Sequence, residues 1–227
     1  MQAGERSPAN ESNAHYELFS GVDATPSAVF GYAGGVWAFG RNVSAEGFRV
    51  KALTGTGRYD YDTSLPGIAG SVNIDGDVSL VQFLAGYQWR RGEWTVKAYA
   101  GLGFEEHDLT PNDPANSVNG SEFGAMGQLE LWRNMGDSSW LAIDASYADT
   151  FGSYWTQMRL GRNLGARISA GIEAAALGNE EYDSGRGGAF LRAHLGRMDL
   201  TVSGGISGDY YSGDLGGYAA LGLYGKF

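Results

Sequence analysis

VQFLAGYQWRRGEWTVKAYAGLGFE, residues 81–105, is the stretch that decides the fold. In its first half Val81, Phe83, Ala85, Tyr87 and Trp89 alternate with Gln82, Gly86, Gln88 and Arg90, and only Leu84 breaks the pattern. After Arg91-Gly92 the alternation resumes, with Trp94, Val96, Ala98, Ala100, Leu102 and Phe104 set against Thr95, Lys97, Tyr99, Gly101, Gly103 and Glu105. A period of two is the signature of a strand with one apolar face. Two such runs around a short turn predict a hairpin whose faces match.

The same pattern spreads outward in both directions. It recurs at Phe123–Leu131, Leu141–Tyr147, Tyr154–Leu160, Ile168–Ala174, Ala189–Leu195, Met198–Ile206 and Leu215–Phe227. Strands near 16 to 24, 28 to 39 and 46 to 58 bring the count to twelve. Alternation alone also suits a soluble sandwich, and three features set that reading aside. Aromatic residues stand at the ends of the apolar face, at Trp89, Trp94, Phe104 and Phe227, where interfacial girdles sit on a membrane barrel. The strands run about 10 to 14 residues, long enough to cross a bilayer at a tilt. Connections alternate short and long, as in outer-membrane barrels. The expected fold is therefore an all-β transmembrane antiparallel up-and-down barrel of about 12 strands, spanning 15–227 after an N-terminal arm over 1–14.

Short turns are expected near Arg41, Arg91-Gly92, Met135-Gly136, Leu164-Gly165 and Gly196-Arg197. Long connections are expected at 59–76, 106–119 and 178–186, with smaller ones at 24–27, 149–151 and 208–213. The long ones collect Asp60, Asp62, Asp75, Glu106, Asp108, Asp113, Glu180, Glu181 and Asp183, whereas arginines cluster at the short turns. Both termini and the Arg91-Gly92 turn are thus expected in the periplasm, and Pro111–Asn119 outside the cell.

Composition narrows the function. No apolar run approaches the roughly 18 residues of a spanning helix. Cysteine is absent, so neither disulfides nor thiolate metal sites are available. A net charge of -10 opposes binding to a phosphate backbone, which excludes nucleic acid. The chain opens without the basic and apolar regions of a signal peptide, which fits a leader already removed.

The C-terminal Gly222-Leu223-Tyr224-Gly225-Lys226-Phe227 resembles the assembly signal of outer-membrane barrels, except at Gly225, where a bulky apolar residue is usual. The segments from Phe19 to Ala24, Tyr32 to Gly34, Gly47 to Lys51 and Gly55 to Tyr61 resemble the BcsS family of cellulose-biosynthesis loci. That resemblance implies an outer-membrane protein linked to cellulose or exopolysaccharide production. It carries over no catalytic residue.

Inward parity assembles a candidate lumen of Arg49, Lys51, Lys97, Arg159, Arg192 and Lys226 with Glu130, Asp144, Glu173 and Asp199. Gln82, Tyr99, Gln128, Trp155, Gln157 and His194 complete it. These groups could line a narrow pore for sugars or nascent glucan, or pair across a closed interior that serves as an anchor or interaction platform with acidic loops. Twelve strands lie between filled and open barrels, so the count leaves both standing. Trp37, Tyr99, Trp132 and Trp155 could stack on sugar rings or simply pack. His15 lies in the arm and His107 in a loop, and no histidine pairs with a serine on the apolar face as in barrel phospholipases, so no catalytic site is expected. Asp75-Gly76-Asp77 lacks the oxygens of a calcium loop, and Gly55-Thr56-Gly57 lacks the glycine and helix of a dinucleotide loop. No cofactor or metal is expected. The expected partners are outer-membrane lipid and lipopolysaccharide, with cellulose or its synthesis machinery.

Overall fold

The computed structural model describes residues 14–40, 42–209 and 215–227. The expected turn at Arg41, the arm over 1–13 and residues 210–213 of one expected loop lie outside them. The strands are β1 (Tyr16–Thr25), β2 (Ala28–Ala38), β3 (Gly47–Thr63), β4 (Val72–Arg91), β5 (Trp94–Thr110) and β6 (Gly120–Met135). They continue as β7 (Ser139–Ala148), β8 (Tyr154–Asn163), β9 (Ile168–Gly178), β10 (Asp183–Leu195), β11 (Met198–Asp209) and β12 (Leu215–Lys226). Each pairs antiparallel with the next, and β1 pairs with β12, which closes the barrel.

Closure rests on the last residue as well as on the ladder. A terminal oxygen of Phe227 accepts the amides of His15 and Tyr16, which carries the pairing of the seam past the end of the ladder. Gly225 also has a local cause: a Cβ there would stand 2.7 Å from the Phe227 ring, which folds over it. The tight turns use Gly92 at φ 60° and Gly196 at φ 71°, a region that suits two-residue hairpin loops and penalises a side chain.

Phe48, Phe83, Phe123, Leu129, Ile172, Leu191, Val202 and Leu221 point outward and are exposed, whereas Lys51, Lys97, Glu130, Arg159 and Arg192 are buried inside. That inversion of a soluble protein is what a lipid solvent demands. From Trp94 to Phe104, both exposed, ten residues cover about 34 Å of strand, or about 26 Å along the axis at a tilt of about 40°. This matches the apolar band of about 25 Å in outer-membrane barrels.

β3 to β6 reach 16 to 20 residues and project beyond their neighbours at the long-loop end. The long connections therefore shrink to 64–71, 111–119 and 179–182. Acidic composition suggested loops there, but the ladder is held by cross-strand pairs in water, with Arg58 bonding Asp77 at 2.9 Å and Asn73 bonding Asp62 at 3.2 Å. His107 accordingly stands on β5 rather than in a loop. Ala14, the last residue of the expected arm, packs with Ala38 and Val43 at the turn end.

Leu129 faces lipid near mid-strand, and Gln128 faces the lumen. Leu129→Arg is expected to weaken insertion by roughly 2–4 kcal/mol, and Gln128→Arg by clearly less. Urea titration of folding into lipid vesicles measures both, and equal losses would contradict the assigned facing.

Candidate functional site

The site is the barrel interior. Successive inward positions on each strand stack polar side chains into the lumen, and their length lets them meet across it. Glu17 on β1 binds Lys97 on β5 at 3.0 Å, Lys97 reaches Glu130 on β6 at 3.4 Å, and Glu130 binds Lys51 on β3 at 2.7 Å. These four residues come from four strands, and each is at most 6% exposed. Two ammonium and two carboxylate groups thus neutralise one another across the lumen, an arrangement that tolerates burial because every charge has a partner.

Further chains brace the interior in the same way. Arg159 binds Glu173 at 2.7 Å, and the Tyr218 hydroxyl on β12 donates to the other oxygen of Glu173 at 2.7 Å. Arg186 binds Asp23 at 2.6 Å. Arg192 donates to Thr201 at 3.2 Å and lies 4.7 Å over the Trp140 ring, which stacks on Trp132 at 4.5 Å. Leu84, the residue that broke the alternation, packs inside against Tyr99, Met126 and Ala148.

Both mouths carry covers. At the turn end, Arg49 bonds Gln88 at 3.2 Å and the Val43 carbonyl at 2.9 Å, which draws the 42–46 segment under the lumen and buries Val43. Beside it the Glu46 carboxylate accepts the Arg90 amide at 3.3 Å and the Arg91 guanidinium at 2.6 Å. These contacts hold its carboxyl below the usual carboxylate range. They stabilise the turn at neutral pH, and the contribution is lost as pH falls through that lowered value. At the loop end a 3₁₀ turn, Thr150–Gly152, folds inward and buries Phe151, which adopts φ 49°. Glu105 accepts the Thr150 and Ser153 hydroxyls, each at 3.1 Å, and Glu122 accepts the Phe151 amide at 2.7 Å.

All the charged lumen candidates named from sequence lie on inward positions. Arg49, Lys51, Lys97, Glu130, Asp144, Arg159, Glu173, Arg192 and Lys226 are buried, as are Tyr99 and Gln157. Gln82, Gln128, Trp155, His194 and Asp199 are half-buried on the same face. Trp89, Trp94, Phe104 and Phe227 are exposed on the outer wall. Trp37 is also exposed there, paired with Tyr16 and Val50, and is not a lumen aromatic. Glu17, Asp23, Glu105, Trp140 and Arg186 are central to the interior and were missed. Glu17 and Glu105 kept the inward parity of their strands, which was the available signal, and Arg186 was hidden in an expected loop.

His194 lies on the expected inward face, whereas His107 is drawn from its expected loop into the interior. His107 is buried, with Nε2 2.9 Å from Glu105 and Nδ1 3.0 Å from the Tyr59 hydroxyl. His194 bonds Asp199 through Nδ1 at 2.7 Å and meets Ser169 Oγ through Nε2 at 3.2 Å. That is the connectivity of a Ser-His-Asp relay. Its chemistry is different, because the Ser169 hydroxyl donates to Asn163 at 2.6 Å and Ser169 is 1% exposed. A substrate carbonyl has no approach to the oxygen, and the four residues act as a brace across β8 to β11. Asp77, one of the two carboxylates weighed for calcium, is taken by Arg58.

Comparison with known proteins places this geometry. The chain belongs to the family described as cellulose biosynthesis protein BcsS, whose model matches residues 17–227. Among curated protein sequences none matches it. Its fold is similar to that of the KdgM porin solved in complex with disordered oligogalacturonate, at 11% identity and a TM-score of 0.51, covering 93% of this chain and 99% of that one. It is also similar to the transport unit of the autotransporter AIDA-I from Escherichia coli, at 11% identity and a TM-score of 0.56, covering 98% and 93%. The translocator domain of the autotransporter NalP from Neisseria meningitidis matches at 10% identity and a TM-score of 0.51, covering 96% and 90%. The protein is an outer-membrane β-barrel linked to cellulose biosynthesis.

Arg159→Ala leaves the Glu173 carboxylate buried without its cation, so stability is expected to fall by about 3 kcal/mol. Adding Glu173→Gln removes the stranded charge and is expected to recover part of the loss. Urea-induced unfolding in vesicles gives both values, and an unchanged midpoint for Arg159→Ala would contradict the role of the pair.

Proposed function

We propose that this barrel works with its lumen closed, as an outer-membrane anchor and interaction platform for cellulose secretion rather than as a standing pore. The observation that carries this reading is the cross-lumen chain Glu17–Lys97–Glu130–Lys51, buried and internally neutral. An open sugar path needs hydrogen-bonding groups that face water, whereas these face each other. The termini and short turns face the periplasm, toward the synthesis machinery. The projecting β3–β6 sheet and the acidic loops face outward, where carboxylates such as Asp60 and Asp62 accept hydrogen bonds from the hydroxyls of extruded glucan.

A gated sugar channel is the second reading, favoured by one feature. The 3₁₀ cover is tied to Glu105 and Glu122 by its own side-chain and amide bonds, outside the strand ladder, so it can withdraw without opening the barrel wall. The sugar in the similar KdgM porin is oligogalacturonate. Lys51, Lys97, Arg159 and Arg186 of the lumen here are each already bound to a carboxylate, which disfavours such a polyanion, so a neutral glucan is the better match for this second reading.

Single cysteines in the cysteine-free chain test closure and orientation together. Ser203 is buried in the lumen, and Ser64 and Glu93 are exposed at opposite ends. Ser64→Cys is expected to react with an impermeant maleimide on intact cells, and Glu93→Cys only after the outer membrane is breached. Ser203→Cys in the folded barrel is expected to resist a small methanethiosulfonate that reacts fully after unfolding. Rapid modification at position 203 would sink the closed reading, and labelling of position 93 on intact cells would reverse the orientation.

A further inference from the structure

The outer wall formed by β5 to β8 is chemically unlike the rest of the turn-end rim. Around β1 to β5 that rim is aromatic, with Tyr16, Trp37, Phe39, Phe48, Trp89 and Trp94 exposed. On the β6–β8 side it carries two outward arginines instead, Arg133 on β6 and Arg162 on β8. Arg133 is directly opposite Trp94 and Leu141, and Arg162 is opposite Ser139, two residues nearer the turn. Only β7 separates their strands, and with the two-residue offset the two Cα atoms stand about 12 Å apart, a gap that two long guanidinium side chains and a phosphate between them can span. The Arg133 guanidinium lies 4.8 Å from the Trp94 ring, a cation–π contact. Its Nε is buried without a hydrogen-bond partner, and Arg133 joins no ion pair among the described residues.

Above the arginines, toward mid-membrane, the same wall carries an open groove of about 410 Å³, the size of a small-molecule site. Its lining includes Ala98, Gly127, Leu129, Ala145, Tyr147 and Thr156. Leu129 lies four residues from Arg133 on β6, about 13 Å along the strand. Gly127 has no internal reason to be glycine: its φ lies outside the left-handed region, and an added Cβ would meet nothing within 4 Å. Space is left there on the lipid side, where only a membrane component can fill it.

We propose that this wall holds one phospholipid of the inner leaflet, its headgroup phosphate between Arg133 and Arg162 and one acyl chain in the groove beside Gly127. Charge complementarity selects the occupant: two cations at interface depth call for an anion, and the distance from guanidinium to groove suits an acyl chain rather than a soluble anion. Guanidinium groups bind phosphate oxygens in pairs of parallel hydrogen bonds, and the donors of Arg133 are already oriented by stacking on Trp94. The choice of phospholipid over lipid A rests on the orientation proposed above, which sets the short turns in the inner leaflet. A lipid at this place continues the aromatic rim from Trp94 across β6 to β8 and fixes the depth of the barrel on that side.

Native mass spectrometry of the full-length barrel in mild detergent tests the site, with phosphatidylglycerol titrated into delipidated protein. Wild type is expected to bind one lipid in preference to further copies. Arg133→Gln with Arg162→Gln is expected to weaken that first binding at least tenfold, and Gly127→Leu to weaken it as well by filling the groove. Arg197→Gln, a turn arginine elsewhere, is expected to bind as wild type does. Diacylglycerol, which lacks the phosphate, is expected not to be retained. Heat-dependent gel mobility reports folding, and for any variant that fails it Arg133→Lys with Arg162→Lys takes its place, keeping the charge while losing the paired geometry and weakening binding. Equal phosphatidylglycerol binding by wild type and the folded arginine variants would overturn the proposal. So would equal retention of diacylglycerol, or preferential retention of lipid A by wild type.

Discussion

A backbone amide or carbonyl left unpaired in hydrocarbon costs several kcal/mol, and this one constraint shapes the whole molecule. A chain without an apolar helix can satisfy it only by closing a sheet on itself. The seam is therefore the critical place. β1 and β12 pair over eight residues, and a terminal oxygen of Phe227 takes two further amides. Once closed, the sheet has an outside that must be apolar and an inside that must be either wet or filled.

Filling is what the inward residues do, and it explains why they are charged. In a barrel of about eight strands, ordinary side chains fill the interior. At twelve strands the gap is wider, and short apolar residues would leave a void. Lysine, arginine, glutamate and tryptophan are long enough to meet in the middle, and the ionic ones stay there at low cost only when matched. Lys51, Lys97 and Arg159 each find a carboxylate from a strand that is distant or adjacent in the ring. Glycine on the facing strand makes room for several of the large rings, as at Gly161 beneath Trp140 and Gly86 beneath Tyr99.

The fold was legible because parity is a local property. Val81 to Phe104 carry it without any knowledge of neighbours, and the alternation gave strand number, facing and closure order together. The interior was legible only as a list of inward residues. Which of them touch depends on barrel radius and stagger, so no spacing in the chain announces that Glu17 meets Lys97, eighty residues away. Loop limits failed for a different reason. Acidic residues read as loops because they avoid apolar sheets, yet β3 and β4 run on into water, where Asp62 and Asp77 find ladder partners. Trp37 was placed on the wrong side because glycine and alanine around it blur the alternation on β2.

Membership in a cellulose-biosynthesis family and the outer-membrane barrel fold fix where the protein works. The state of its lumen decides how it works, and electrical conductance across a planar bilayer is the most direct test of that state. Wild-type protein is expected to insert without discrete current steps, and Trp140→Gly with Arg192→Ala, which removes part of the plug, to conduct. Stable single-channel steps from the wild type, with the current unchanged by that double substitution, would contradict a closed interior.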